Sequence, residues 1–291
     1  MSTSEAPGRR IAPPVRSNAR VMPLELFFDL VFVLAITQCT ALMADQPTWR
    51  GLAKGLLVLG VLWWAWVGYA WLTSVLDPEE WLVRFTIFAA MAALLIVSLC
   101  VPEAFGDLGL LFACAYAFVR VAQMVLFAIV ARDDPAFRRS TMGLATGTAV
   151  GVSLLIAASF ADGLLQGALW ALALALDVGE PYVFGSEGWR LEPGHFAERH
   201  ALIIIIALGE SIVAIGIGAE AGIDAGVVVA AVLGVAISAA LWWLYFDVVA
   251  LVAERRLANA APGKERNEIA RDSFSYLHFP MVAGMCCSRS G

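Results

Sequence analysis

The sequence predicts an all-α, polytopic helical membrane protein, and its composition is the first observation behind this prediction. Of the 291 residues, 60% are hydrophobic and 15% are charged, and the mean hydropathy is +0.79. Soluble domains carry about 45–50% apolar and about 25% charged residues. The composition is therefore typical of a chain that lies largely within a lipid bilayer.

Apolar runs of bilayer length are the second observation, because a helix needs about 20 such residues to cross the hydrocarbon core. Eight segments predict complete spans: 24–43, 52–76, 83–101, 108–130, 142–160, 163–178, 201–218 and 225–251. The short connection Ala161-Asp162 predicts a tight hairpin between the fifth and sixth spans. An apolar run from Tyr276 is too short to cross and predicts an incomplete ninth span.

Basic residues predict the orientation, because connections rich in Lys and Arg stay in the cytoplasm. The amino-terminal tail and alternate connections contain 15 of the 19 basic residues: Arg9, Arg10, Arg16, Arg20, Arg84, Arg132, Arg138, Arg139, Arg190, Arg199, Arg255, Arg256, Lys264, Arg266 and Arg271. The opposite side has Arg50 and Lys54. We therefore expect a membrane protein whose amino terminus is cytoplasmic.

Two domains follow from this pattern: a flexible cytoplasmic tail over 1–20 and a transmembrane helical domain over 21–291. Prolines 13 and 14 interrupt the only apolar stretch of the tail, so it does not resemble a signal peptide. The net charge of −6 and the distribution of basic residues over several connections exclude a nucleic-acid partner. The bilayer is the expected partner.

Two proline-led helix starts predict an internal parallel repeat, over about 22–192 and 193–291. Span one opens at Pro23 and span seven at Pro193, and each has a glutamate shortly afterwards, at Glu25 and Glu198. The Leu-Trp-Trp of span two also recurs in span eight. Because Glu25 and Glu198 are 173 residues apart, a second full copy would run beyond residue 291. The repeat therefore predicts a truncated chain.

Two longer motifs carry a family resemblance. They are Met22-Pro-Leu-Glu-Leu-Phe-Phe-Asp-Leu-Val-Phe-Val33 and His195-Phe-Ala-Glu-Arg-His200, the second continuing to Ile203-Ile-Ile-Ile-Ala-Leu-Gly-Glu210-Ser211. In residues and order they resemble the bacterial low temperature requirement A family of integral membrane proteins, from about Arg20 onward. The resemblance implies a helical inner-membrane protein linked with growth in the cold, in a family whose members are usually longer. It implies no substrate, reaction or cofactor.

Two charged residues lie near the middle of predicted spans, Arg120 in span four and Glu210 in span seven. A charged residue at the bilayer centre costs about 2.5–3.5 kcal/mol on insertion scales, so each needs a partner. Their similar depth predicts an ion pair between them. The alternatives are a structural ion pair without a transport role and a protonated Glu210 that fixes helix packing.

Glu25 and Asp29 are four residues apart and therefore share one face of span one. Asp29 lies about 6 Å deeper at a rise of about 1.5 Å per residue. Two carboxylates this close attract a proton or a cation, which predicts a proton relay or a cation entrance. The alternative is a pair of acids stabilised by the dipole at the helix start.

His195 and Glu198 share a face of span seven and can reach the acids of span one if the two spans pack together. A metal site normally has three or four ligands, and no second histidine cluster completes one here. The pattern therefore favours an interfacial salt-bridge network, and we predict no metal and no cofactor.

Tryptophans at corresponding places in two spans predict the aromatic walls of a cavity: Trp63 and Trp64 in span two, Trp242 and Trp243 in span eight. Such walls suit an apolar or cationic ligand, although packing against helices or lipid is the alternative. No nucleotide, hydrolase or haem motif occurs in the sequence, so no catalytic residue is predicted and an enzyme is disfavoured.

The membrane-embedded charges favour a proton- or ion-responsive transporter or channel, alone or as a homo-oligomer. Asp29, Glu210 and Arg120 would form the pathway of an unknown small ion or solute. One alternative is a membrane-embedded enzyme that acts on a lipid, for which the sequence offers no recognisable nucleophile. Another is a non-catalytic scaffold or sensor that uses the basic connection 253–272 as its partner surface.

Overall fold

The computed structural model describes residues 20–184, 188–218 and 224–287, without the side chains of residues 211 and 214–218. Within these ranges the chain contains helices and no strand, which confirms the predicted all-α class. Almost all of the predicted tail, residues 1–19, lies outside the described residues. The division of the chain into domains stays a prediction.

The α-helices begin and end close to the predicted spans. They are α1 Pro23–Asp45, α2 Trp49–Thr73, α3 Trp81–Cys100, α4 Gly109–Val130, α5 Pro135–Ala158, α6 Gly163–Val183, α7 Pro193–Gly218, α8 Ala225–Leu244, α9 Ala250–Asn259, α10 Lys264–Ile269 and α11 His278–Cys287. A π-helical turn, Tyr245–Val249, joins α8 to α9, and a second, Ala270–Tyr276, follows α10.

Seven helical stretches in the described residues are long and apolar enough to cross a membrane, against the eight predicted. They are α1 to α6 and the continuous stretch Ala225–Asn259. The predicted span 201–218 falls in α7, a continuous helix of 26 residues. It is not among the seven, and several of its side chains lie outside the described residues.

The first and seventh helices run side by side in the same direction. Glu25 contacts Arg199, 174 residues later, and Thr37 contacts Glu210, 173 residues later. A constant separation along the chain means that the two helices are parallel and in register. Since both begin near the same level, we call this face of the bundle the amino-terminal side; α2, α4 and α6 end there.

The predicted hairpin of the fifth and sixth spans is confirmed, with a connection of four residues, 159–162, between α5 and α6. Small residues of α5 let acids of α6 approach closely. A Cβ built on Gly147 would overlap the Glu180 carboxylate, and one on Gly151 would be in ordinary van der Waals contact with Asp177 Oδ1, at 3.5 Å. The predicted end of span six at residue 178 is wrong, because α6 continues to Val183.

The apolar run from Tyr276 forms part of the core. It contributes α11, a helix of 10 residues that packs against α1, α2 and α7. The Trp63 indole N–H donates to the backbone oxygen of Ser275 at 2.9 Å just before it. In contrast α8 packs mainly on α7, and Ser238 is the one buried residue within α8.

Candidate functional site

A buried charge network joins α1, α2 and α7 near the amino-terminal side. Arg199 Nη1 donates to Glu25 Oε1 at 2.9 Å and to the Thr73 hydroxyl, and Nη2 donates to Asp29 Oδ1 at 3.2 Å. His195 Nε2 lies 2.9 Å from Glu25 Oε2. These contacts define the Glu25 network, and they confirm that Glu25 and Asp29 share one face.

Local sequence explains how Glu25 is held. Pro23 lies at the first position of α1, where its missing N–H costs nothing. Glu25 then lies at the third position, and its Oε2 accepts the Met22 backbone N–H at 2.9 Å. The Glu25 carboxylate therefore both stabilises the start of α1 and joins α1 to α7.

The Glu25 network is fully removed from solvent, whereas an interfacial network was predicted. Glu25, Asp29 and Arg199 are each at most 1% exposed. The Trp66 indole N–H donates to Asp29 Oδ1 at 2.7 Å, while Asp29 Oδ2 has no hydrogen-bond partner among the described residues. Since a guanidinium and an indole already hold these acids, they form a closed network, not an open entrance for a cation.

Glu198 lies outside this network. It is exposed, and its Oε2 accepts the Val21 backbone N–H at 3.0 Å. The predicted grouping of His195 with Glu198 is therefore wrong, and Arg199 takes that place. Among the described residues no group of three or more His, Cys, Asp or Glu side chains has the geometry of a metal site.

A second network surrounds Arg120 in the middle of α4. Its Nη2 donates to the Thr148 hydroxyl at 2.7 Å and to Asp177 Oδ1 at 3.3 Å, and its Nη1 donates to the Trp64 backbone oxygen at 3.3 Å. The Tyr116 hydroxyl completes the Arg120 network by donating to Asp177 Oδ2 at 3.4 Å. Thus α2, α4, α5 and α6 meet at one buried guanidinium.

The predicted ion pair between Glu210 and Arg120 is wrong. Arg120 pairs with Asp177, and Glu210 Oε2 accepts a hydrogen bond from the Thr37 hydroxyl at 2.8 Å. The sequence predicts similar depths for Arg120 and Glu210, but α4 packs on α2, α3 and α5 while α7 packs on α1 and α8. Glu210 therefore links α1 to α7, as its alternative role in helix packing predicts.

Sequence reasoning missed the two acids of α6. Asp177 and Glu180 are both 4% exposed, and neither carboxylate oxygen of Glu180 has a hydrogen-bond partner in the part of the chain that the structure describes. The two charged side chains lower the local hydropathy, which is why the sequence predicted that span six ends at residue 178. The signal that points to them is Arg120, because a buried guanidinium requires an acid on a neighbouring helix.

A cavity of about 80 Å³ lies next to the Arg120 network, between the second halves of α2 and α4 and the segment after α10. Its wall is largely aromatic and apolar, and it also contains several polar side chains. The polar members are Arg120, Gln123, Asn267, Arg271 and Ser275, and the indoles are those of Trp64, Trp71 and Trp189. The halves that line it run toward the amino-terminal side.

Arg271 is the second guanidinium of this wall. It pairs with Asp272 at 2.7 Å and stacks on the Tyr182 ring, 4.1 Å from its centre. The hydrogen bond to Asp272 raises the pKa of Arg271 above its usual value, so the side chain stays positively charged. The cavity therefore has one deeply buried cation and one nearer the surface.

The four tryptophans predicted to line a cavity lie in two different places. Trp64 lines the cavity, and Trp63 is buried beside it with its indole N–H on Ser275. Trp242 and Trp243 are 46% and 66% exposed on α8. The prediction that they line the same cavity is wrong, because α8 lies at the outside of the described bundle.

The comparisons with known proteins agree with the fold. The model of the family described as bacterial low temperature requirement A protein (LtrA) matches residues 20–291. A relative named "Uncharacterized protein RA0937", from Rhizobium meliloti (strain 1021), is 31% identical over 280 residues, a match that covers 92% of this chain and 67% of the relative. No solved structure matches the chain significantly. The chain is therefore an integral membrane protein that belongs to the bacterial low temperature requirement A family.

Proposed function

We propose that this protein is a proton- or ion-responsive transporter of the bacterial inner membrane. The observation that carries the proposal is the position of Arg120, which belongs both to a buried charge network in the middle of α4 and to the wall of a cavity. Charged groups within spans are costly and mark substrate or ion pathways. Transporters place their sites near the bilayer midplane, at the depth of Arg120.

Buried charges at two depths support the same proposal. The Glu25 network lies in the first turns of α1, and the Arg120 network lies near the middle of α4. Glu180 adds a carboxylate without a described hydrogen-bond partner for either oxygen. A carboxylate of this kind can gain or lose a proton without breaking a hydrogen bond to a described residue, as a proton-responsive transporter requires.

The scaffold alternative has less support from the geometry. It requires the connection 253–272 to be a free surface, yet Asn267 and Arg271 line the cavity and Asn267 donates to the Trp189 backbone oxygen at 2.9 Å. The lipid-enzyme alternative requires a nucleophile with a base beside it. The Ser74 hydroxyl lies 3.4 Å from His195 Nδ1, but both side chains are buried and neither lines this cavity. The transporter proposal uses both the cavity and the buried charges.

Flux through the purified full chain tests the proposal. In proteoliposomes with an internal pH-sensitive dye, we expect proton or ion flux well above that of protein-free vesicles. Glu180→Gln should lower this flux about tenfold or more, because the amide cannot exchange a proton. Glu268→Gln is the matched control. The Glu268 side chain is 42% exposed, and its contact with Lys264 is long, at 3.9 Å, so the substitution should not change flux.

Two outcomes would contradict the proposal. One is the absence of flux in folded, monodisperse wild-type protein across a panel of ions and small solutes. The other is equal flux in Glu180→Gln and Glu268→Gln, which would leave the buried carboxylate without a role.

The proposed orientation places the amino-terminal side in the cytoplasm. Arg199 is buried and no longer counts as a connection residue, yet 14 basic residues remain on this side against two on the other. On a cysteine-free background, a cysteine at Gly106 should react with an impermeant reagent added outside intact cells, and one at Pro135 should not. The reverse pattern would refute the orientation.

A further inference from the structure

The cavity beside Arg120 has the polar groups of an anion site. Both charged side chains in its wall, Arg120 and Arg271, are positive, and its wall contains no carboxylate among the described residues. The acids that pair with these cations lie elsewhere: Asp177 contacts the Nη2 atom of Arg120, and the side chain of Asp272 is 51% exposed. A cation inside the cavity would therefore meet two guanidiniums.

Arg120 has one N–H donor, at Nε, that makes no hydrogen bond to a described residue. The side chain is 3% exposed, its two Nη atoms are held by Thr148, Trp64 and Asp177, and its Nε has no hydrogen-bond partner among the described residues. A buried N–H without an acceptor is costly, so a ligand that brings an acceptor stabilises the site. The fixed Nη atoms orient the guanidinium in advance.

Gln123 provides a second free group one turn along α4. It is 2% exposed, and its Oε1 has no hydrogen-bond partner in the described residues. Because the oxygen and the nitrogen of an amide exchange places by rotation about the last side-chain bond, Gln123 can present either group. With its amide nitrogen turned toward the cavity, Gln123 adds an N–H donor to that of Arg120 Nε, and two such donors suit one carboxylate.

The size and walls of the cavity restrict the ligand. A water molecule needs roughly 10–15 Å³ on this measure, so about 80 Å³ suits a solute of roughly five non-hydrogen atoms. The indoles of Trp64, Trp71 and Trp189 surround the polar groups with apolar surface. These dimensions favour a short carboxylate with a small hydrocarbon part.

We propose that this cavity binds a small monocarboxylate anion, with Arg120 and Gln123 on the carboxylate and Arg271 attracting it from the surface. The proposal rests on the proposed transport function and names the class of its substrate. Propionate, with five non-hydrogen atoms, is the probe of choice. Propionamide has the same number of non-hydrogen atoms and the same shape but is neutral, and propylammonium has one fewer and is positively charged.

Binding to the purified full chain in detergent is measured by tryptophan fluorescence, since indoles line the cavity. At constant ionic strength we expect a saturable change with sodium propionate and none with propionamide or propylammonium chloride. Equal responses to propionate and propionamide would overturn the proposal, because the site would not then recognise the charge. A linear, non-saturating response to propionate would overturn it too.

A matched pair of arginine variants locates the site. Arg271 pairs with Asp272 at 2.7 Å, and Arg84 pairs with Glu79 at 2.8 Å on the same side of the bundle but away from the cavity. Arg271→Gln should weaken propionate binding about tenfold, as expected for the loss of one charge-assisted contact. Arg84→Gln should leave it unchanged. Equal effects of the two variants would refute the location.

Gln123→Leu tests the deep end of the site without removing the structural guanidinium of Arg120. It should weaken propionate binding about tenfold, and full retention of affinity would exclude the assigned contact. Flux in proteoliposomes then separates the two proposals. Propionate binding without any flux supports this site and refutes the transport function, whereas proton or cation flux without propionate binding refutes this site alone.

Discussion

The ion pair between Arg120 and Asp177 offers a direct test of how the transmembrane helices are held together. Both residues are at most 4% exposed, and their closest atoms are 3.3 Å apart. Arg120→Met would leave Asp177 with the Tyr116 hydroxyl as its remaining described side-chain contact. Asp177→Leu would leave the buried Arg120 guanidinium without its ion-pair partner.

The expected magnitude follows from this burial. Removing one partner of a buried ion pair costs about 3–5 kcal/mol of unfolding free energy, because the other charge remains desolvated and unpaired. Replacing both partners with apolar residues removes that penalty. The double variant Arg120→Met/Asp177→Leu should therefore be more stable than the sum of the single effects predicts, by at least about 3 kcal/mol, the penalty of one stranded charge.

Equilibrium unfolding in mixed micelles, followed by tryptophan fluorescence, measures these free energies. The control cycle combines Arg120→Met with Glu210→Gln, two sites that share no hydrogen bond or ion pair, and their effects should add within about 0.5 kcal/mol. Additivity in the Arg120 and Asp177 cycle would refute direct pairing. Strong coupling in the control cycle would refute the separation of Arg120 from Glu210.

Two further predictions concern packing and the Glu25 network. Gly147→Leu should destabilise the protein by about 1–3 kcal/mol, because the leucine side chain would occupy the place of the Glu180 carboxylate. The control is Gly167→Ala, which has no atom within 4 Å of the added Cβ and should be nearly neutral; a thermal melt measures both. Arg199→Gln should cost about 3–5 kcal/mol by stranding two buried carboxylates. Glu198→Gln, at an exposed neighbouring position, should change stability by less than about 0.5 kcal/mol, and a similar loss in both variants would contradict the network.

The positions of the helices could be predicted from the sequence because length and hydropathy are local properties. The apolar runs predict helices that the structure confirms, and Pro23 and Pro193 mark the first residues of α1 and α7. The common face of Glu25 and Asp29 follows from helical periodicity alone. The apolar run around Arg120 likewise predicts that this residue lies within the membrane.

The partners of the buried charges depend on which helices are neighbours. Arg120 and Glu210 have similar predicted depths, but depth alone does not bring two helices together. Asp177 reaches Arg120 across the interface of α4, α5 and α6, and this pairing also allows α6 to continue past a charged residue.

Sequence alone therefore determined where the chain is helical, which segments suit a bilayer and which of their residues are charged. Only the tertiary structure decided that Trp64 lines a cavity while Trp243 is exposed, and that Asp177, not Glu210, neutralises Arg120. The physical reason is that helix formation depends on residues within a few turns of one another. Pairing and burial depend instead on side-chain volumes across helix interfaces far apart in the sequence.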